Sequence, residues 1–240
     1  MQSATIIQKL QETQDQLKHQ LQHYYDDLKP TSSYIMQITE MTIQAEKVLK
    51  ETIEQKALLT GKPAIVFDFD DTFVSHYPRF KEENFINDAD AADKRMRRID
   101  MPLIAPVKSL YDTAAQLNVH VFIISYRKSI ESNPDKNMKR YILDSFKFNN
   151  IKMDDAHVFV PIDNETQLNA ALYKTSIRKK LTHDGYHIIF SMGDQQSDIE
   201  GECTGAKFLL PNKLYGPFSL LSAPAHVTAN IIPFKKTLTF

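Results

Sequence analysis

Ile65-Val66-Phe67-Asp68-Phe69-Asp70-Asp71-Thr72-Phe73-Val74 runs from an unbroken apolar segment straight into a cluster of carboxylates. Its apolar part, from Ala64, reads as a strand buried on both faces, the kind found in parallel sheets. Asp68 and Asp70, two apart, then leave the sheet at the carboxyl end of a strand, where open α/β sheets bind ligands. Taken alone, three acids after a strand also describe a solvated turn or a helix cap, because short motifs recur by chance.

A second apolar run, Tyr186-His187-Ile188-Ile189-Phe190-Ser191-Met192, ends in Gly193-Asp194-Gln195-Gln196-Ser197-Asp198. A third, Val119-His120-Val121-Phe122-Ile123-Ile124, ends in Ser125-Tyr126-Arg127, which puts a hydroxyl at another strand end. A helical stretch offers Lys174, followed by Arg178, Lys179 and Lys180. Asp, Ser, Lys and Asp at successive strand and helix ends form a composite that chance produces far less readily than any one part. Lys174 and Arg178 stand four apart and share a helix face, from which Lys179 and Lys180 turn away toward solvent.

The D-x-D-x-T of Asp68, Asp70 and Thr72, then Ser125, Lys174 and the G-D-x-x-x-D of Gly193, Asp194 and Asp198 resemble the four motifs of the haloacid dehalogenase superfamily. Within it, the run from Tyr173 to Leu181, Gly185-Tyr186, the Gly193-Asp194-Gln195 turn and Leu210-Pro211-Asn212 are similar to the acid phosphatases of classes B and C. The similarity is greatest to their plant relatives, the vegetative storage proteins, and spans residues 62 to 218. The resemblance implies phosphomonoester hydrolysis, with Asp68 as the nucleophile that becomes an aspartyl phosphate and Asp70 as general acid, then base. It implies Mg²⁺ held by Asp68, Asp194 and the backbone carbonyl of Asp70, with Asp198 in an outer position. Ser125 and Lys174 would hold the transferring phosphate; Thr72 and Arg178 are further candidate substrate-binding residues, and the face that Arg178 shares with Lys174 reads as a support for the site.

These residue types suit that chemistry. A phosphoryl group carries charge on three equatorial oxygens and is attacked in line, so positioning and charge stabilisation do most of the work. An all-oxygen donor set suits a hard dication. Tyr126 is a departure, since many relatives have Gly or Asn after the hydroxyl residue. His76, after the first motif, either touches the leaving group or is local structure. His19 and His23 stand four apart on a helix but have no third ligand, and read as a solvated face. No G-x-x-x-x-G-K-[ST] loop and no G-x-G-x-x-G turn occurs, so a nucleotide cofactor is not indicated.

A chain of 240 residues, 42% hydrophobic and 25% charged, can bury one α/β core plus an appendage. Its formal charge of −1 gives no electrostatic reason to expect a nucleic acid polymer or an anionic membrane as partner. Cys203 is the single cysteine, which rules out an intramolecular disulfide and suits a reducing compartment. Met1 to Thr5 lack the basic and apolar regions of an export signal, and no apolar run reaches the ~18 residues of a membrane span. The expectation is a cytoplasmic protein, with a trimmed signal or another export route as alternatives, since many of the acid phosphatases it resembles are exported.

Residues 1–60 read as a helical extension. Ile7, Leu10, Gln14, Leu17, Leu21, Tyr24 and Leu28 follow a heptad seam, Pro30-Thr31-Ser32-Ser33 breaks it and supplies a hydroxyl cap, and Ile35, Ile38, Met41, Ala45, Val48, Leu49 and Ile53 face a second helix inward. A hairpin packed across the catalytic domain is preferred to a homodimer through these helices, because about three heptads is the minimum for a coiled coil.

Residues 61–240 form the catalytic domain, with a cap insertion at 75–101 where this superfamily places elements that select substrate. Pro78, Arg79, Lys81, Arg95, Arg97 and Arg98 lie there and read mostly as solvated surface. The expected fold is α/β, a doubly wound, Rossmann-like and mainly parallel sheet with strands near 64–69, 119–125, 157–161, 187–192 and 206–210. The expected substrate is a small phosphomonoester: a nucleoside monophosphate, another small organic phosphate or a phosphorylated side chain. A phosphotransferase, a quiet storage or binding protein, and an interaction protein built on the hairpin are the alternatives. Asp68 is intact, which speaks against a quiet relative.

Overall fold

The computed structural model describes residues 2–55, 59–86, 88–129 and 137–215. Strands β1 (Lys62–Phe67), β2 (His120–Ile124), β3 (Val158–Phe159), β4 (Tyr186–Gly193) and β5 (Ala206–Leu209) form one sheet in the order β3-β2-β1-β4-β5, and every pairing is parallel. All five agree with the positions read from the sequence. The chain steps outward from β1 through β2 to β3, then returns to the other side of β1, so the topology reverses at the central strand.

Strand residues alternate between two apolar clusters, as a period of two requires. Ile65, Phe67, Val121, Ile123, Phe190 and Met192 face one side with helices α2 (Ser33–Glu54), α5 (Ala105–Gln116) and α6 (Met138–Phe148). Ala64, Val66, Phe122, Ile124 and Ile188 face the other, against Tyr173, Ile177 and Leu181 of α7 (Ala170–His183). Helices therefore cover both faces, which is why the strands read as continuous apolar runs.

The N-terminal region forms two helices, α1 (Gln2–Tyr25) and α2. The reversal between them passes through Asp26, Asp27 and Leu28, all with positive φ, and Ser32 caps α2 by accepting the Ile35 N–H at 3.1 Å. Ile35, Ile38, Ala45, Leu49 and Ile53 are buried and belong to the same core cluster as β1 and β4. The seam on α1 is less uniform than its spacing suggests: Leu21 and Tyr24 are buried, Leu17 and Leu28 are partly covered, and the side chains of Ile7 and Leu10 lie outside the described residues. His19 and His23 are exposed. No helix among the described residues is long and apolar enough to cross a membrane.

The segment 75–101, expected to be a cap insertion, contains α3 (Tyr77–Glu82) and α4 (Ala89–Met96). Its cations are paired: Arg79 and Arg98 with Asp100, Arg97 with Asp93, and Lys81 with Asp27 of the hairpin turn. Arg95 departs from the solvated reading. It is buried, with its guanidinium 3.9 Å from the Phe80 ring centroid and bonded to Glu83.

Leu49→Ala should cost about 2–5 kcal/mol in urea unfolding, the range for a large core truncation. The transition should stay single, since Leu49 shares its cluster with the sheet; an early separate transition of the hairpin would contradict that placement.

Candidate active site

The strand ends build the site. Asp68 follows β1 and its N–H still bonds to the Met192 carbonyl at 2.9 Å; Ser125 follows β2, Asp194 follows β4, and both strands flank β1 directly. Because Phe67 and Phe69 turn into the core, Asp68 and Asp70 leave on the opposite side, which is what the D-x-D spacing requires. Past Asp70 the chain turns sharply at Asp71 (φ 49°), and Phe73 pins the turn against Phe146, ring centroids 5.0 Å apart.

Asp68, Asp194 and Asp198 converge, with one carboxylate oxygen from each lying within 4.8 Å of the others, and all three are buried. Lys174 reaches this cluster from α7, bonding Asp68 Oδ1 at 2.5 Å and also Asp198 Oδ1. The Asp198 carboxylate folds back to accept the Gln195 N–H at 2.8 Å. That fold needs Gly193, because a Cβ there would lie 2.1 Å from Asp198 Oδ2. Asp194 Oδ2 accepts from Gln195 Nε2 and Asn212 Nδ2, both at 2.6 Å, and its Oδ1 accepts the Thr72 hydroxyl at 3.3 Å. Ser125 is buried, and its Oγ accepts the Arg127 N–H at 3.3 Å.

The electrostatics of this cluster point one way. Burial pushes the Asp68 carboxyl up; Lys174 pulls it back, while Asp198, Asp194 and Asp70 push it further up. Asp194 is pushed up to about 7 by burial and by Asp71 and Asp198, against the pull of its two amide donors. Burial alone would lower Lys174, but Asp68 and Asp198 raise it, so it stays an ammonium. Three buried acids around one ammonium would carry excess negative charge among hard oxygen donors if all were ionised, so Asp68 and Asp194 hold protons more tightly than free carboxyls do. The residues therefore fit a divalent cation, whose charge would relieve that repulsion.

Asp70 lies outside the three-acid cluster and keeps more solvent access than Asp68, Asp71, Asp194 or Asp198. Its Oδ1 takes Arg127 Nη2 and His76 Nε2, each at 2.6 Å, and its Oδ2 takes Arg127 Nε at 2.9 Å. Burial would raise this carboxyl, but the Arg127 charge and the hydrogen bonds from His76 and Arg127 prevail and hold it well below the usual carboxylate range. Arg127 also donates to the Met96 carbonyl at 2.5 Å, which ties Asp70 to the end of the cap helix α4. His76 is buried beside Asp70, and its Nδ1 has no hydrogen-bond partner among the described residues.

Arg178 requires a correction as a substrate-binding residue. It is fully buried, and its guanidinium donates to the carbonyls of Asp198, Glu200 and Glu202 and to Thr175 Oγ1. It clamps the loop that carries Asp198, with its described hydrogen bonds going to backbone carbonyls and one hydroxyl rather than to a carboxylate. Lys179 and Lys180 are exposed, as their spacing indicated. Two contributors escape the sequence reading, Arg127 and Tyr215, whose hydroxyl donates to Asp71 at 2.6 Å, and Asn212 enters it within Leu210-Pro211-Asn212 without a role. The strand-end logic that singled out Ser125 extends to Arg127 two residues on; Asn212 is marked only by the resemblance, and nothing local marks Tyr215.

The family model described as HAD superfamily, subfamily IIIB (Acid phosphatase) matches residues 2–218. The chain belongs to this family. The match begins at residue 2, so the family's span takes in the helical hairpin that the motif resemblance, starting at 62, left out.

Vegetative storage protein 1 of Arabidopsis thaliana is 26% identical over 155 residues, 62% of this chain and 54% of its own length. Acid phosphatase 1 of Solanum lycopersicum is 24% identical over 160 residues, 65% of this chain and 59% of its own. The chain spans little more than half the length of these relatives. The class C acid phosphatase from Bacillus anthracis superposes with a TM-score of 0.66 at 16% identity, over 89% of this chain and 90% of the other, which establishes a shared fold.

Asp194 holds its proton in the folded, metal-free protein up to about pH 7, whereas an unfolded chain releases it near pH 4. The unfolded state therefore binds fewer protons over that interval, and metal-free stability should fall as pH rises from about 4 to about 7. Asp68, raised likewise, adds to the fall. Asp194→Asn should flatten much of this slope in urea titrations run with EDTA; an unchanged slope would contradict the assignment.

Proposed function

We propose that this chain is a Mg²⁺-dependent phosphomonoesterase that turns over small organic phosphates, nucleoside monophosphates among them, through an aspartyl-phosphate intermediate. The observation that carries this reading is the convergence of Asp68, Asp194, Asp198 and Lys174 at the carboxyl end of the central strands. The Asp68 carboxylate attacks phosphorus as the bond to the leaving oxygen breaks, and Asp70 supplies the proton that oxygen takes. Asp70 then removes a proton from water; the hydroxide attacks the phosphorus, the bond to Asp68 breaks, and inorganic phosphate leaves. Lys174 and Ser125 hold the phosphate oxygens, with Thr72 placed beside Asp194. Asp68, Asp194 and the backbone carbonyl of Asp70 would hold the Mg²⁺, with Asp198 behind them. When bound it supplies positive charge that offsets the repulsion between Asp68 and the incoming phosphate.

Arg127 suits the two halves of this cycle unequally. Its charge favours Asp70 as a carboxylate, the form needed to take a proton from water, and opposes the protonated form needed to assist departure of the leaving group. Substrates with poor leaving groups depend on that proton, and good ones do not.

Hydrolysis of p-nitrophenyl phosphate with Mg²⁺, and with EDTA, tests the reading. Turnover should need the metal, and Asp68→Asn should lower it by on the order of a thousandfold or more. Metal-independent turnover, or equal rates for Asp68→Asn, would overturn the mechanism. Complete silence of the folded protein toward aryl and nucleoside phosphates would move the reading to a storage or binding role. Asp70→Asn should cost ~10²–10⁴-fold on alkyl phosphates and markedly less on p-nitrophenyl phosphate; equal losses on both would remove Asp70 from the acid role.

A further inference from the structure

Asp194 is supported unlike the other two acids of the cluster. Asp68 and Asp198 both face the Lys174 ammonium, whereas the described hydrogen bonds to Asp194 come only from neutral groups: Thr72, Gln195 and Asn212. The two short ones fall on Oδ2, so that oxygen is anchored and Oδ1 is the freer one. Gln195 belongs to the same turn as Asp194 and moves with it. Of the two donors to Oδ2, Asn212 is the one from outside that turn, on the segment that follows β5.

That segment is held by the N-terminal hairpin. Asn212 Oδ1 accepts the Leu214 N–H at 2.7 Å, and the Tyr25 hydroxyl approaches it at 3.4 Å. The Tyr25 hydroxyl oxygen also accepts the Lys213 N–H at 3.1 Å, and the Lys213 ammonium sits 3.7 Å from the centroid of the Tyr24 ring. Tyr25 has little freedom: it is 1% exposed, stacked on Tyr77 at 4.6 Å with the planes 11° apart, and crossed edge-on by Tyr24. A buried, stacked phenol is a fixed post for a hydroxyl. The order of contact is then α1 to Tyr25, Tyr25 to the backbone at Lys213, Asn212 to Asp194.

We propose that Asn212 and Tyr25 are positioning residues for Asp194, so that the last turn of the first helix sets this site's affinity for a divalent cation. The inference rests on the metal reading above and adds to it a part of the chain that supplies no ligand. Asn212 orients the Asp194 carboxylate by occupying Oδ2, and Tyr25 fixes the backbone that presents Asn212. Partners of this kind, one bond removed from a metal-binding side chain, change metal affinity about 10–100-fold when removed.

Mn²⁺ binding to the full chain, read from the electron paramagnetic resonance of the free ion, tests this without reference to turnover. Asn212→Ala should raise the Mn²⁺ dissociation constant about tenfold or more. Tyr25→Phe, which keeps the stacked ring and removes the hydroxyl, should raise it by a smaller factor, with a metal-free melting temperature close to the parent's. Tyr24→Phe removes a neighbouring hydroxyl that donates to Gln37 at 2.7 Å, and should leave the constant unchanged. Parental affinity in both Asn212→Ala and Tyr25→Phe would overturn the inference and leave the metal reading standing. Equal weakening by Tyr24→Phe and Tyr25→Phe would also overturn it, because general loosening of the hairpin would then account for the effect. A parent protein that binds no Mn²⁺ would sink the metal reading and this inference with it.

Discussion

Three carboxylates and one ammonium share a small buried volume at the end of the central strand, and much of the surrounding architecture serves to hold them there. Burying like charges together is costly, and Lys174 offsets only part of that cost because it faces two acids at once. The remainder falls on the scaffold. Parallel strands fix Asp68 and Asp194 side by side, Gly193 leaves room for Asp198 to fold inward, and Arg178 grips three carbonyls of the loop behind it. None of these contacts touches the centre of the site, yet each removes a way for the acids to move apart.

The sheet and most of the site were legible in the sequence because both follow short-range rules. Strands buried on both faces appear as unbroken apolar runs, and an acid or hydroxyl just past such a run lies at a sheet edge whatever the rest of the chain does. Alternation settles which side Asp68 and Asp70 take, since Phe67 and Phe69 must go to the core. What could not be read depends on partners distant in sequence. The i, i+4 spacing shows correctly that Lys174 and Arg178 share a face, but it is silent on where a long side chain ends. The carbonyls of Asp198 to Glu202, brought close by the fold, take the guanidinium. Tyr25 carries no local signal at all, and Asn212 stands out only within the Leu210-Pro211-Asn212 resemblance, because their roles come from each other and from Asp194.

The cap insertion shows the same difference between composition and placement. Its cations suggest an anion-attracting surface, yet Arg79, Arg97 and Arg98 are each matched to an acid close by, so the segment is nearly neutral in its own neighbourhood. Its link to chemistry is a backbone carbonyl. Met96 accepts from Arg127, and Arg127 holds Asp70, so the end of α4 and Asp70 share one guanidinium. A shift of that helix would be felt at Asp70 through a change in hydrogen-bond geometry, with no charge on the cap having to reach the site.

The Tyr25–Lys213 contact joins residues 188 positions apart and has a meaning in time as well as in space. A nascent chain carries Asp68 and its neighbours long before the segment at Asn212 has left the ribosome, and a contact so distant along the chain forms only after the loop between its ends can close. Until then Asp194 lacks the Asn212 amide that occupies its Oδ2. A late-synthesised piece of the site is thus secured by a helix made well before it, so only a chain grown past the fifth strand can assemble the whole.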